Sequence, residues 1–206
     1  MRCGTGIQFT EARTDPAIAE DTPFVPEDDT YHRTSEDPYW FETNWWSLNV
    51  PERRIGAWLH AGYSTNRGTV SWRVFVWDDR GADPGRLAYY KSAPDVPMPA
   101  DADLRDLTLP AGGYSVRMLT PLMDYAVSYG DADAGFSIEF ERRSVHPPQR
   151  FTPGQAPAMA NPHLDQLGHL TGELVLRGER IPIDSFSVRD RTWGPRGGHH
   201  SRATRR

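Results

Sequence analysis

The 206-residue sequence holds one cysteine, Cys3, and a lone thiol closes no internal disulfide. The fold must be held by packing and hydrogen bonding, as expected in a reducing compartment. Cys3, in a polar N-terminus, is also a poor candidate for a nucleophile. No apolar run approaches the ~20 residues that a bilayer-spanning helix needs, and the start lacks the apolar centre of a signal peptide. A soluble, cytoplasmic protein is expected. Positive charge is short too: the net charge is −5 and the isoelectric point about 5.8, so no basic face invites nucleic acid or anionic lipid. The chain has no phosphate-cradling glycine loop with Lys-Ser/Thr, no GxSxG elbow, no HExxH pair and no paired cysteines. No cofactor is expected. Helical periodicity is missing as well, with "DADLRDL" good for one short turn at most, and no internal repeat is present.

Aromatic residues are plentiful. They make up 11% of the chain, with seven Trp, eight Tyr and eight Phe concentrated between Tyr31 and Phe140. That excess feeds either a β core or an aromatic-lined cavity. The length suits one domain with tails, since domains commonly hold about 100–200 residues. Residues 1–23 open an acidic, proline-punctuated lead: from Glu11 to Asp37 nine acids face two bases. Such a segment is expected to be mobile. Residues 24–196 carry the β pattern, and 197–206, "GGHHSRATRR", read as a disordered basic tail in which His199-His200 is a poor metal pair.

Within 24–196, turn residues recur every 8–12 positions, which predicts an all-β antiparallel barrel or sandwich. In "TVSWRVFVWDD", Trp72, Val74 and Val76 share one face and Arg73, Phe75 and Trp77 the other. In "GFSIEFER", Phe136, Ile138 and Phe140 point inward. "HLTGELVLRGERIPIDSFSVRD" predicts a hairpin with Gly178-Glu179 as its two-residue turn. Two stretches, 92–110 and 145–162, are too rich in proline for helix and too long for hairpin turns, so they read as loops.

The second hairpin strand delivers "RDRTWGPR", the densest chemistry in the chain. Alternation sends Arg189 and Arg191 to the face opposite Asp190. Facing an apolar interior, Asp190 would have its pKa raised by desolvation and could protonate an alkene or carbonyl. Alternatively it accepts backbone N–H groups of a Trp193-Gly194 turn and stays ionised. Just before the hairpin, "NPHLDQLGHLTG" groups His163, Asp165, Gln166 and His169. Zinc could use such a set in principle. No fourth ligand is visible, so satisfied turn residues are expected and a metal is not, with His163 and Gln166 kept as pocket-rim residues. Trp45 and Trp46 are adjacent and must face opposite ways, as must Tyr89 and Tyr90.

Three segments, "PEDDTYHRTSEDPYWFETNWWSLNVPERRIGAWLH", "NRGTVSWRVFVWDD" and "HLDQLGHLTGELVLRGERIPIDSFSVRDRTWGPR", resemble the bacterial proteins related to hydroxyneurosporene synthase (carotenoid hydratase), tocopherol cyclase and AttH-like proteins. The ending D-x-[ST]-W-G-x-R carries the resemblance most specifically. It implies a lipocalin-like β-barrel or sandwich, usually two in tandem, whose inner faces enclose an apolar isoprenoid or lipid-like molecule. It also implies that the hydratase branch's proton-donating aspartate stands at Asp190. The chain departs from that branch in having Arg191 in place of histidine and Val188 in place of tyrosine. Because relatives continue into another barrel, the chain is expected to be the N-terminal member of such a pair.

The expected function is therefore binding of a terpenoid, steroid or other lipid-like molecule in a β-lined pocket formed by Trp45, Trp58, Trp72, Trp77, Tyr90, Gln166 and Trp193. The alternative is an acid-catalysed hydratase, cyclase or isomerase with Asp190 as donor and His163 or Tyr125 assisting. A third possibility is a half-barrel that pairs with another chain through the edge of the hairpin ending at Arg196.

Overall fold

Period-two alternation of apolar and polar residues dictates strands throughout the computed structural model, which describes residues 24–32, 37–109, 114–150 and 162–195. Eleven strands form among them: β1 (Trp40–Val50), β2 (Ile55–Ser64), β3 (Thr69–Trp77), β4 (Tyr89–Pro97), β5 (Asp106–Thr108), β6 (Ser115–Thr120), β7 (Asp124–Asp131), β8 (Phe136–Ser144), the two-residue β9 (Gln149–Arg150), β10 (His163–Leu176) and β11 (Glu179–Pro195). All pair antiparallel in one sheet of order β4-β3-β2-β1-β11-β10-β8-β7-β6-β5, with β9 added beside β10. The long β10–β11 hairpin thus lies at the centre, between the meander β1–β4 on one side and β5–β8 on the other. It is not an edge, contrary to the expectation that pairing would use it: the edges are β4 and β5. The expected mobile lead 1–23 and basic tail 197–206 lie outside the described residues.

The sheet curls so that its concave face closes on a core. Trp72, Val74 and Val76 point inward, as do Phe136, Ile138 and Phe140, each exposed by 4% or less. Strands distant in the order meet across this core: Trp46 of β1 packs on Tyr125 of β7 at 5.0 Å between ring centroids, and Tyr89 of β4 stacks on Phe136 of β8 at 3.7 Å. Burying each large apolar side chain contributes about 1.5–3 kcal/mol. Trp72, Tyr63, Tyr114, Tyr129, Leu59 and Phe140 are each exposed by 2% or less. Around these residues the space between the inner faces is occupied by the protein's own side chains.

Two local expectations need correction. The hairpin turn is Arg177-Gly178, not Gly178-Glu179, since Leu176 pairs with Glu179; φ values of 55° and 80° are those of the tight turn whose twist matches the strands. The proline-rich stretch 92–110 is not all loop, because β4 continues to Pro97 and β5 follows. Prolines are tolerated in β4 because it is an edge strand, and a register shift against β3 accommodates Pro94-Asp95.

Candidate functional site

The cross-strand register brings together a row of outward-facing residues that are scattered in the sequence. Arg73 opposes His60, His60 opposes Trp45, Trp45 opposes Asp190, and Asp190 opposes Asp165. A neighbouring row runs Gly62, Thr43, Thr192, His163. On the other side of the first row stand Phe75 and Trp58, directly paired. Directly opposed side chains touch, so these rows weave one aromatic surface. Trp58 meets Trp45 at 4.8 Å, Phe75 at 5.0 Å and Trp77 at 5.3 Å between centroids, in each case nearly edge to face. Two glycines of β2 make the surface possible. A Cβ on Gly56 would meet the Trp77 ring at 2.3 Å, and one on Gly62 would meet the Phe41 ring at 2.2 Å.

Three adjoining cavities follow this surface. One of about 600 Å³ is lined by Trp58, Arg73, Phe75, Trp77, Pro84 and Tyr90 among others. The second, of about 280 Å³, shares Trp58, Arg73 and Phe75 with it and adds Trp45 and His60. The third, of about 610 Å³, shares Trp45 and His60 and ends at His163, Asp190 and Thr192. Together they form a trough across the outward face, aromatic along its length and polar at one end. At that end His163 is only 2% exposed; its Nδ1 lies 2.7 Å from Thr192 Oγ1 and its Nε2 3.2 Å from Asp165 Oδ1. One ligand atom from each of His163, Asp165 and Asp190 falls within 4.8 Å of the others.

The opposite face of β11 does different work. Arg189 and Arg191 point inward and are 2% and 1% exposed. Arg189 donates to both carboxylate oxygens of Asp29 at 2.9 and 3.3 Å and to Gln166 Oε1 at 2.7 Å. Arg191 donates to Glu42 Oε2 at 2.6 Å and to the carbonyl oxygens of Asp28 and Thr30. Together they clamp the segment 24–32, whose single helical turn spans Pro26–Asp29, onto the sheet. Burial pushes the Asp29 carboxyl up, but Arg189, the Tyr125 hydroxyl donated to it and Arg191 outweigh burial and hold it below the usual carboxylate range. Burial likewise raises Glu42, and the hydrogen bond from His32 with the charge of Arg191 brings it below its ordinary value.

The sequence-predicted residues divide between the two faces. Trp45, Trp58, Trp77, Tyr90, His163 and Asp190 line the trough. Trp72 is core on the concave side. Gln166, predicted at a rim, is buried there, donating to Leu122 O and His146 O at 2.8 Å each. Tyr125, predicted to assist Asp190, is likewise on the concave face with its hydroxyl on Asp29. Trp193 packs against the clamped segment, stacked on His32 at 4.3 Å. Asp190 does not face the apolar interior; its arginine neighbours do. Nor is there a Trp193-Gly194 turn to cap it, since both residues continue β11 opposite Glu42 and Phe41. His169 leaves the predicted His163–Asp165 grouping and pairs with Asp184 at 2.6 Å. Sequence reasoning missed His60 and Phe41, which no motif marks and only register reveals. Arg73, Phe75 and Thr192 were not proposed either but carried a signal, the first two through their shared face with Trp77 and Thr192 through its place in the D-x-[ST]-W-G-x-R ending.

Comparison with known proteins gives a consistent fold. A family model described as "Domain of unknown function (DUF7064)" matches residues 25–205. The solved structure of a Nitrosomonas europaea protein described as AttH superposes with a TM-score of 0.58 at 15% identity, over 85% of this chain and 57% of that one. The chain thus spans little more than half the length of that protein. No curated protein matches. The architecture is AttH-like, a lipocalin-type curled antiparallel sheet. Among the described residues no helix is long and apolar enough to cross a membrane.

Proposed function

The chain belongs to the DUF7064 family, and within that family we propose that it binds an apolar small molecule of terpenoid, steroid or other lipid-like kind along the outward aromatic trough. The observation that carries this reading is the trough itself: linked apolar cavities walled by edge-to-face Trp and Phe rings, closed at one end by His163, Asp190 and Thr192. Aromatic surface left open to water is costly unless something covers it. Each Å² of apolar ligand removed from water contributes roughly 25 cal/mol. The body of the ligand lies over Trp45, Trp58 and Trp77, and a hydroxyl or carbonyl at its end meets the polar group. This places the ligand outside the sheet, where the predicted interior pocket would have held it inside.

A titration tests it. Farnesol, a sterol and a long-chain fatty acid are added to the protein while quenching of tryptophan fluorescence is followed. At least one of these probes is expected to saturate, with clear weakening in Trp58→Ala and Trp77→Ala. Saturable binding of equal affinity in both variants would refute the trough as the site.

A second reading is supported by the position of Asp190 at the trough's polar end: an acid-catalysed hydratase, cyclase or isomerase of the kind represented by hydroxyneurosporene synthase. Asp190→Asn separates the two readings. A binder keeps its affinity for the apolar body, whereas an enzyme still binds and loses turnover.

A further inference from the structure

Outside the aromatic surface, one group of side chains calls for a ligand of its own. Asp165 and Asp190 are opposed in register on β10 and β11, which sets two carboxylates directly across from each other. Two carboxylates held side by side are a donor pair that one cation can bridge. The third member, His163, is 2% exposed, and the contact of its Nδ1 with Thr192 Oγ1 at 2.7 Å fixes the ring so that Nε2 turns toward Asp165 Oδ1 at 3.2 Å. An imidazole oriented through its far nitrogen is how proteins present histidine to a metal.

We propose that His163, Asp165 and Asp190 bind one divalent transition-metal ion. Their ligand atoms already lie within 4.8 Å of one another. Bonds of about 2.0–2.2 Å place ligand atoms no more than about 4.4 Å apart around one ion, so small side-chain rotations complete the set. One nitrogen and two oxygen donors suit zinc, manganese or iron(II) rather than calcium, which takes six or more oxygens. His163 and Asp190 also line the trough's end cavity, so three protein ligands leave coordination positions facing that space. A ligand oxygen or water in the trough can take one of them.

The proposal does not rest on the apolar-ligand reading, since a chain that binds metal but no lipid-like probe retains it. The test is calorimetric titration with Zn²⁺ of the full chain stripped by chelator and carrying His199→Ala and His200→Ala, which removes the adjacent C-terminal histidines. One ion per chain is expected. Asp165→Asn and Asp190→Asn keep side-chain volume and each should weaken binding by more than ~100-fold, while Thr192→Val, which loosens the ring's orientation, should weaken it by ~10–100-fold. His169→Ala, in the ion pair with Asp184, should leave affinity unchanged. Far-UV circular dichroism confirms that each variant is folded. Absence of stoichiometric binding overturns the proposal, and so do equal losses in His169→Ala and Asp190→Asn.

Discussion

The two faces of β11 put neighbouring residues to opposed purposes. Inward, Arg189 and Arg191 are buried and matched to Asp29 and Glu42, with further hydrogen bonds from Arg189 to Gln166 Oε1 and from Arg191 to the carbonyls of Asp28 and Thr30. Outward, Asp190 stands across from another acid at the end of an open trough. Three consecutive charged residues thus serve fold and site separately, because a strand turns alternate side chains to opposite faces. The inner groups are fully engaged within the protein. The outer ones border an open cavity, and that asymmetry is the strongest argument for where function lies.

Breaking the inner side has the largest expected effect. Arg189→Met leaves Asp29 buried without its partner, a loss of about 3–5 kcal/mol by urea unfolding. Aromatic residues provide the same contrast with charge removed. Trp72→Ala on the concave face should cost about 3–5 kcal/mol. Trp58→Ala, whose residue is 36% exposed, should cost about 1–2 kcal/mol from its lost ring contacts while abolishing much of the ligand-dependent quenching. Equal stability losses at the two tryptophans would contradict the assignment of faces.

Acid should act through the inner face. Asp29 and Glu42 have folded pKa values lowered from the ordinary range, so the unfolded chain takes up protons first as the pH falls. Their contribution is complete above the unfolded carboxylate range, near pH 4–4.5, and is lost progressively below it. Urea midpoints should therefore fall between pH 6 and pH 3. Asp29→Asn is expected to lower the midpoint at pH 6 and to flatten this decline. An equally steep decline in that variant would show that Asp29 does not carry it.

How much of this was legible beforehand follows from the range of each interaction. Alternation within a strand is local, so the inward set Trp72, Val74, Val76 and the opposition of Asp190 to its arginine neighbours could be read directly. Which face would be the interior could not. Arg189 next to an aspartate gives no hint that its partner is Asp29, 160 positions earlier, and an arginine pair was the less obvious choice for a buried face. The trough was half visible: its tryptophans were identified, but their assembly depends on Trp45 pairing with both His60 and Asp190. The hairpin was recognised, with its turn misplaced by one residue, because Arg177 gives no sign in sequence that it adopts φ 55°.

The smallest expected effect is the sharpest test of the outer face. If Asp165 and Asp190 repel across the β10–β11 pair, neutralising one should stabilise the metal-free protein, the reverse of what neutralising a buried inner acid does. Cross-strand pairs contribute roughly 0.2–1 kcal/mol, so Asp190→Asn should raise the unfolding free energy by about that amount in the presence of chelator. Added Zn²⁺ should then stabilise the parent protein and leave the variant nearly unmoved, because an ion that binds only the folded state raises stability in proportion to its occupancy. The two measurements together ask whether the repulsion exists and whether a cation relieves it.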